Sequence, residues 1–220
     1  MATALVTGAN RGIGLEICKI LKGRGDHVIG ACRNASDDLT SLGVQVEANV
    51  DVGDLESLRA LDDRLGDTAI DTLVLNAGVL RPDNIQALDF DGMRTQFEIN
   101  SLGPLRTVTA LRKRLHKDSK VAIVTSRMGS LADNTSGGMY GYRMSKAAVN
   151  AAGVSLAQDL KSDGIPVVLL HPGFVRTGMT GGNGNINPDE SAQGLVARID
   201  ELTLDTTGSF KHMNGESLPW

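Results

Sequence analysis

The sequence predicts one α/β domain built on a doubly wound parallel sheet of six to seven strands flanked by helices. Three observations carry this. Short runs rich in Val, Ile, Leu and Ala are apolar at successive positions, the pattern of strands covered on both faces. Segments of helical period separate them, long enough for the crossovers that parallel pairing requires. The 220 residues contain no linker, repeat or low-complexity tract, so residues 1–220 are expected to form a single domain.

The elements follow in order. A first strand, Thr3 to Thr7, runs into a glycine-rich turn and the helix-like LEICKILKGRG. Strands are expected at Val28 to Cys32 and Val44 to Ala48, and Asp54 can cap the helix that begins LESLRALDDRL. After a fourth strand, Thr72 to Asn76, comes a long segment from Phe90 to His116. Gly103-Pro104 interrupts it, because proline has no N–H to continue the helical ladder. A fifth strand, Val121 to Ser126, precedes a helix from Gly141 to about Asp163, and a sixth spans Val167 to His171. Pro188 with Asp189 and Glu190 opens another helix, placing acids at the positive end of its dipole. Gly208 to His212 is the candidate seventh strand.

Composition narrows the function. With 41% hydrophobic and 22% charged residues the chain reads as soluble and globular, which argues against disorder, collagen-like repeats and a coiled coil. Only 4 Phe, 2 Tyr and 1 Trp, beside a net charge of -4, offer neither stacking surface nor basic field for nucleic acid. Cys18 and Cys32 form no CxxC pair and read as buried reduced thiols of a cytosolic protein. The four histidines are isolated, so no metal is expected. The N-terminus lacks a charged leader, and no apolar stretch reaches the roughly 18 residues of a membrane span. Neither export nor membrane insertion is expected, and the default compartment is the cytoplasm.

Directly after the first strand stands Thr7-Gly8-Ala9-Asn10-Arg11-Gly12-Ile13-Gly14. Glycines at a strand-to-helix turn permit positive φ and close ligand approach, and the free N–H groups of the helix start favour a pyrophosphate. The alternative is a glycine-rich turn without a ligand, but this position in an α/β chain favours a Rossmann-type dinucleotide site. No GKS or GKT follows, so a nucleoside-triphosphate loop is not supported. After the second strand Arg33 stands where an acid would bind the ribose hydroxyls of NAD. Together with Arg11 it suits a 2′-phosphate, which favours NADP(H) over NAD(H), unless both are merely solvated charges.

Tyr142 and Lys146 lie four apart at the start of a helix-like stretch, on one helix face. An ammonium beside a phenol favours its anion and draws its pKa down from about 10, toward that of a working acid/base. Chance also produces Tyr-xxx-Lys often. Tyr140 has Met144 at that spacing and lacks the activating partner.

The glycine loop, Asp51-Val52 after the third strand, Asn76-Ala77-Gly78 after the fourth, Asn100, Ser126, Tyr142-xxx-Lys146 and Pro172-Gly173 occur in order along nearly the whole chain. In this the chain resembles the short-chain dehydrogenase/reductase family. Ser126 to Ser130, Gly137 to Arg143 and the ending Leu-Pro-Trp220 resemble its C-factor branch, related to insect carbonyl reductases. The resemblance implies an NADP-dependent reductase of a small aldehyde or ketone, working as a dehydrogenase in reverse. Tyr142 would then exchange the proton, Lys146 would tune it and hold the nicotinamide ribose, and Ser126 would polarise the carbonyl. Asn100 would hold a water leading to Lys146. Gly8, Asn10, Arg11, Gly12, Ile13, Gly14 and Arg33 would take the phosphates, Asp51 and Val52 the adenine, and Asn76, Ala77 and Gly78 the adenosine ribose side. Pro172, Gly173, Val175 and Thr177 would hold the nicotinamide end.

Two departures matter. Leu75 replaces the first Asn of the family's usual NNAG. Ser126 lies farther before the tyrosine than is common, and spacing alone favours Ser130; Ser126 is preferred because it ends a strand at the carboxyl edge. The glycine-dense stretch 177–188 is either a lid over substrate or a long surface connection. Met128, Met139, Leu80, Phe174 and Met179 are pocket candidates, and no charged residue stands out as awaiting an acidic or basic substrate. Ala147, Ala148, Ala151, Ala152 and Gly153 offer a small-residue face for a homodimer or for the chain's own sheet. The C-factor resemblance leaves a second function open, an NADP-binding signalling or interaction protein with little turnover.

Overall fold

The computed structural model describes residues 1–220. Its strands are β1 (Thr3–Thr7), β2 (His27–Ala31), β3 (Gln45–Glu47), β4 (Ile70–Leu75), β5 (Leu115–Val124), β6 (Val167–His171) and β7 (Ser209–His212). The helices are α1 (Gly12–Gly23), α2 (Asp37–Ser41), α3 (Leu55–Arg64), α4 (Phe90–Phe97), α5 (Gly103–Leu111), α6 (Tyr140–Asp159) and α7 (Pro188–Asp200). The seven strands form one sheet in the order β3-β2-β1-β4-β5-β6-β7, every pair parallel. The order reverses direction between β1 and β4, so the loops after these strands diverge and leave a crevice at the carboxyl edge.

Successive side chains on a strand face opposite ways, and both faces are apolar. Leu5, Leu73, Val121 and Ile123 join a cluster of 21 buried residues with Leu58 of α3, Leu111 of α5 and Val149 of α6. Ala4, Val6, Val74, Ala122 and Val124 join 20 on the other face, with Ile17 of α1 and Leu195 of α7. This two-sided burial is why the strands read as unbroken apolar runs. Both cysteines are free and buried, and burial pushes the Cys18 thiol up to about 12.

Two elements differ from expectation for local reasons. β5 begins at Leu115 rather than Val121, because its first half is polar and irregular, with Asp118 at φ 74 and a register shift against β4 between Ile70 and Thr72. α2 is a short helix set up by Ser36, whose Oγ accepts from Leu39 N–H at 3.2 Å and donates to the Asn10 carbonyl at 2.7 Å. The expected caps are present: Asp54 accepts from Glu56 N–H at the start of α3, and Pro188, Asp189 and Glu190 open α7. The break near Gly103-Pro104 takes the form of a π-helical turn at Glu98–Leu102 between α4 and α5.

One buried ion pair fastens α3 to the start of β5. The Arg114 guanidinium bonds the Asp62 carboxylate and the carbonyls of Asp62 and Gly66, and Lys113 reaches the same carboxylate at 2.7 Å. Burial works against the Asp62 charge, but Lys113 and Arg114 outweigh it and hold the carboxyl below its ordinary value. Asp62→Ala leaves Arg114 buried without its counter-charge. It should lower stability by about 3–5 kcal/mol in denaturant unfolding.

Candidate active site

The crevice beside β1 is a cleft of about 430 Å³. Gly8, Asn10, Arg11, Gly12, Ile13, Arg33, Asp51, Val52, Asn76, Ala77, Gly78 and Thr177 all line it, together with Cys32, Ile99 and Met179. Gly8 and Gly12 adopt φ of 67 and 54, which suits glycine. Gly14 lies behind the loop instead: a Cβ there would come within 2.3 Å of the Gly8 carbonyl oxygen and 2.6 Å of Asn76 Nδ2. Asn76 acts as a clip, donating from Nδ2 to the carbonyls of Thr7 and Gly8 at 3.0 and 3.2 Å. Thr7 Oγ1 accepts from the N–H groups of Asn76 and Ala77. α1 has no side-chain cap and no acid in its first turn, so its N–H groups and dipole face the cleft uncompensated. A diphosphate fits these donors. Arg11 and Arg33 are exposed at the rim and enter no salt bridge, while Asp51 Oδ1 is taken by Gly53 N–H at 2.8 Å.

Ser126, Tyr142, Lys146 and Asn100 are all buried and gather where β4, β5 and α6 meet. Ser126 stands beside the Tyr142 phenol, and its Oγ accepts from Met128 N–H at 3.1 Å. Ser130 is buried too, but its Oγ accepts from Asp133 N–H at 3.1 Å and serves its own turn. Lys146 Nζ donates to the Val124 carbonyl at 3.0 Å and lies 5.7 Å from the centre of the Tyr142 ring. Asn100 donates to Val79 O at 2.8 Å and Ser145 Oγ at 3.0 Å, and accepts from Val79 N–H at 2.8 Å, tying the loop after β4 to α6. Pro104 stands four residues after Asn100, so the Asn100 carbonyl lacks its α-helical donor. Gly78 leaves the space between them open: a Cβ there would lie 3.2 Å from Asn100 Oδ1 and 3.8 Å from Lys146 Nζ.

The electrostatics differ from the expectation drawn from the Tyr-xxx-Lys spacing. Burial pushes the Tyr142 phenol up to about 12, only partly offset by the neighbouring Ser126 hydroxyl, and pushes Lys146 down to about 8. Removing both groups from water favours their neutral forms more than the ammonium favours a phenolate. In the free protein Tyr142 is therefore a held proton, not a ready base.

Pro172, Gly173 and Val175 form the turn after β6 and lie outside the cleft lining, with Val175 buried and Gly173 at φ 88. Residues 177–188 are folded on themselves. Val175 and Ile186 form a bridge, Asn185 N–H donates to Phe174 O at 2.7 Å, and Thr180 Oγ1 donates to Val175 O at 2.8 Å. This segment reaches the phosphate loop: a Cβ at Gly12 would lie 3.5 Å from Thr177 Cγ2. Phe174 and Met179 on this segment, Leu131 in the loop between β5 and α6, and Trp220 at the C-terminus are exposed large apolar side chains.

Asp83 belongs to the site and sequence reasoning missed it. α6 has no cap of its own: it follows Gly137, Gly138 and Met139 at φ 64, 62 and 53, the last unfavourable for a side chain. Asp83, from the connection after β4, accepts Tyr140 N–H at 2.5 Å and Gly141 N–H at 2.9 Å on its two carboxylate oxygens. Its carbonyl accepts Met139 N–H at 3.0 Å. The turn that carries Tyr142 is thus fastened by a buried carboxylate 57 positions upstream. No local spacing marks such a cap; the run of glycines before Tyr142 was the one visible sign that something else must hold the helix start.

A parallel sheet with an uncapped glycine loop and a buried Ser, Tyr and Lys at its carboxyl edge defines an oxidoreductase of the α/β class. The chain belongs to the short chain dehydrogenase family, whose model matches residues 2–187. It is 48% identical over 226 residues to the 1-hydroxy-2-glutathionyl-2-methyl-3-butene dehydrogenase of Rhodococcus sp. (strain AD45), covering 100% of both. It is 44% identical over 154 residues to C-signal of Myxococcus xanthus, covering 69% of this chain and 93% of that protein. The NADPH-bound carbonyl reductase from chicken fatty liver matches with a TM-score of 0.91 at 27% identity, covering 100% of this chain and 99% of that one.

Asp83→Ala removes two acceptors from the first turn of α6 and should cost about 1–2 kcal/mol of stability, with kcat falling about tenfold. Met139→Gly relieves the positive-φ strain and should restore part of kcat in the Asp83→Ala background. Steady-state kinetics beside thermal unfolding of the two variants check both statements.

Proposed function

We propose that the protein is an NADPH-dependent reductase of small aldehydes or ketones, with Tyr142 as proton donor. The observation that carries this reading is the buried Tyr142 phenol, with Ser126 beside it and Lys146 one helical turn away, next to Gly78 of the cleft lining. NADPH supplies the hydride when bound. Tyr142, which burial keeps protonated, gives its proton to the carbonyl oxygen, and Ser126 donates to the same oxygen as charge builds on it. Lys146 then faces the phenolate as its counter-charge. The Asn100 carbonyl, without its α-helical donor, accepts a water through which Lys146 exchanges protons with solvent.

The 2′-phosphate preference rests on Arg11 and Arg33, both lining the cleft and both without a carboxylate partner. The chicken carbonyl reductase, which binds NADPH, is consistent with that preference. Gly14 acts behind the loop by letting it pack. Pro172, Gly173, Val175 and Thr177 hold the nicotinamide end, and 177–188 closes over substrate. Leu131, Phe174, Met179 and Trp220, with half-buried Met128, Met139 and Leu80, supply an apolar wall for the substrate's carbon skeleton. The Rhodococcus relative, named as the dehydrogenase of a glutathionyl alcohol, supports an alcohol/carbonyl pair and leaves room for a larger substrate than the sequence suggests.

No helix is long and apolar enough to cross a membrane, and a cytoplasmic enzyme of one domain is the simplest reading. A homodimer would use the apolar groove between α4 and α6, lined by Phe90, Met93, Phe97, Tyr140 and Met144. Gly153, by contrast, faces Leu169 and Ile123 of its own sheet. The C-signal relative favours a second reading, an NADP-binding signalling protein with little turnover. A binding module has no use for a desolvated phenol, so the first reading is preferred.

A panel of aldehydes and ketones with NADPH separates the two. Tyr142→Phe should lower kcat by about 10²–10⁴-fold; a wild type without turnover, or a variant of equal rate, favours the signalling reading. Arg33→Asp should raise the Kd for NADPH at least about tenfold more than that for NADH, measured by fluorescence titration.

A further inference from the structure

The chain has fourteen arginines, and nine of them reach a carboxylate: Arg24, Arg59, Arg64, Arg94, Arg106, Arg112, Arg114, Arg127 and Arg198. The five that do not are Arg11, Arg33, Arg81, Arg143 and Arg176. Carboxylates are not scarce, since Asp and Glu number 26 against 22 Lys and Arg. What the five share is place. Arg11, Arg33, Arg81 and Arg176 follow β1, β2, β4 and β6 at the carboxyl edge, and Arg143 sits in the first turn of α6 beside Tyr142. Arg11 and Arg33 line the dinucleotide cleft. Arg81 and Arg176 are exposed, with Arg176 donating to Asn187 Oδ1 at 3.1 Å.

Arg143 differs from the other four because it is half-buried. Its Nη2 donates to Ser136 Oγ at 2.9 Å and its Nε to Gly138 O at 3.2 Å, while Nη1 lies 3.5 Å from Met128 O, at the limit of a hydrogen bond. Every one of these acceptors is neutral. They belong to the loop between Ser126 and Tyr142, and Met128 is the residue whose N–H binds the Ser126 hydroxyl. A guanidinium offers five donors, and here two remain unassigned. Withdrawing a cation from water with only neutral partners is costly, and an anion that arrives there recovers the cost as charge-assisted hydrogen bonds.

We propose that Arg143 receives a carboxylate of the substrate, so that the preferred substrate is an acid-bearing carbonyl compound, its reacting carbon at Tyr142 and its anionic end on the 128–138 loop. This rests on the reductase reading. It adds a charged end to the small aldehyde or ketone of that reading: the apolar wall takes the carbon skeleton, and Arg143 selects the end.

The test uses matched pairs, para-carboxybenzaldehyde against its methyl ester and a series with longer acid chains against theirs, each reduced with NADPH. In wild type kcat/KM for the acid should exceed that for its ester by about tenfold or more in at least one pair, and the excess should shrink as salt is raised. Arg143→Met should bring the acid-to-ester ratio to about one, and Arg143→Lys should retain part of it. A merely bracing Arg143 disturbs acid and ester alike, which leaves the ratio unchanged. An acid no better than its ester in every wild-type pair, or a ratio that survives Arg143→Met, overturns the proposal while the reductase reading stands. Absence of turnover with all acids and esters ends both.

Discussion

The site depends on keeping a phenol and an ammonium out of water within one turn of α6. Tyr142 and Lys146 are 8% and 5% exposed, and that burial drives one pKa up and the other down. Such a pair is costly to fold, and the surrounding polar groups are arranged to limit the cost. Ser126 stands by the phenol, the Val124 carbonyl takes the ammonium, and Asn100 ties α6 to the loop after β4. Asp83 fixes the helix start from outside. Ser126 and Val124 come from the end of β5, Asn100 from the π-helical turn and Asp83 from the connection after β4, so the pair is ordered only when the sheet and its connections are assembled.

Close backbone contact completes that assembly. Gly129 packs on the backbone of Lys146, where a Cβ would lie 2.6 Å from its carbonyl carbon, so the serine loop rests directly on the catalytic helix. The Gly8, Gly14 and Asn76 contact does the same for the dinucleotide loop. The abundance of glycine in the sequence thus has a mechanical meaning at the carboxyl edge: loops from three strands approach one another more closely than side chains permit.

The architecture was legible because two-sided burial leaves apolar runs and because Asp54, Pro188 and Gly103-Pro104 punctuate the helices locally. β6 spans the predicted residues, while the polar first half of β5 carried no periodic signal and was missed. The motif residues Ser126, Tyr142, Lys146 and Asn100 do converge. What stayed hidden was set by long-range contact. Asp83 caps a helix 57 residues away, and Arg143 is conspicuous only once nine other arginines are seen paired with carboxylates while its own partners are neutral. The phenol's pKa was misjudged for a related reason: spacing shows the nearby charge but not the burial that outweighs it.

Burial keeps the Tyr142 proton in place in the free protein. This is tested most directly by an ultraviolet difference titration of the tyrosinate band, wild type against Tyr142→Phe. Tyr142 should contribute no tyrosinate at pH 10, the ordinary midpoint of a phenol, with ionisation only toward about 12. A Tyr142 signal that titrates below pH 10 would contradict it and restore the lysine-lowered phenol that the sequence spacing suggests.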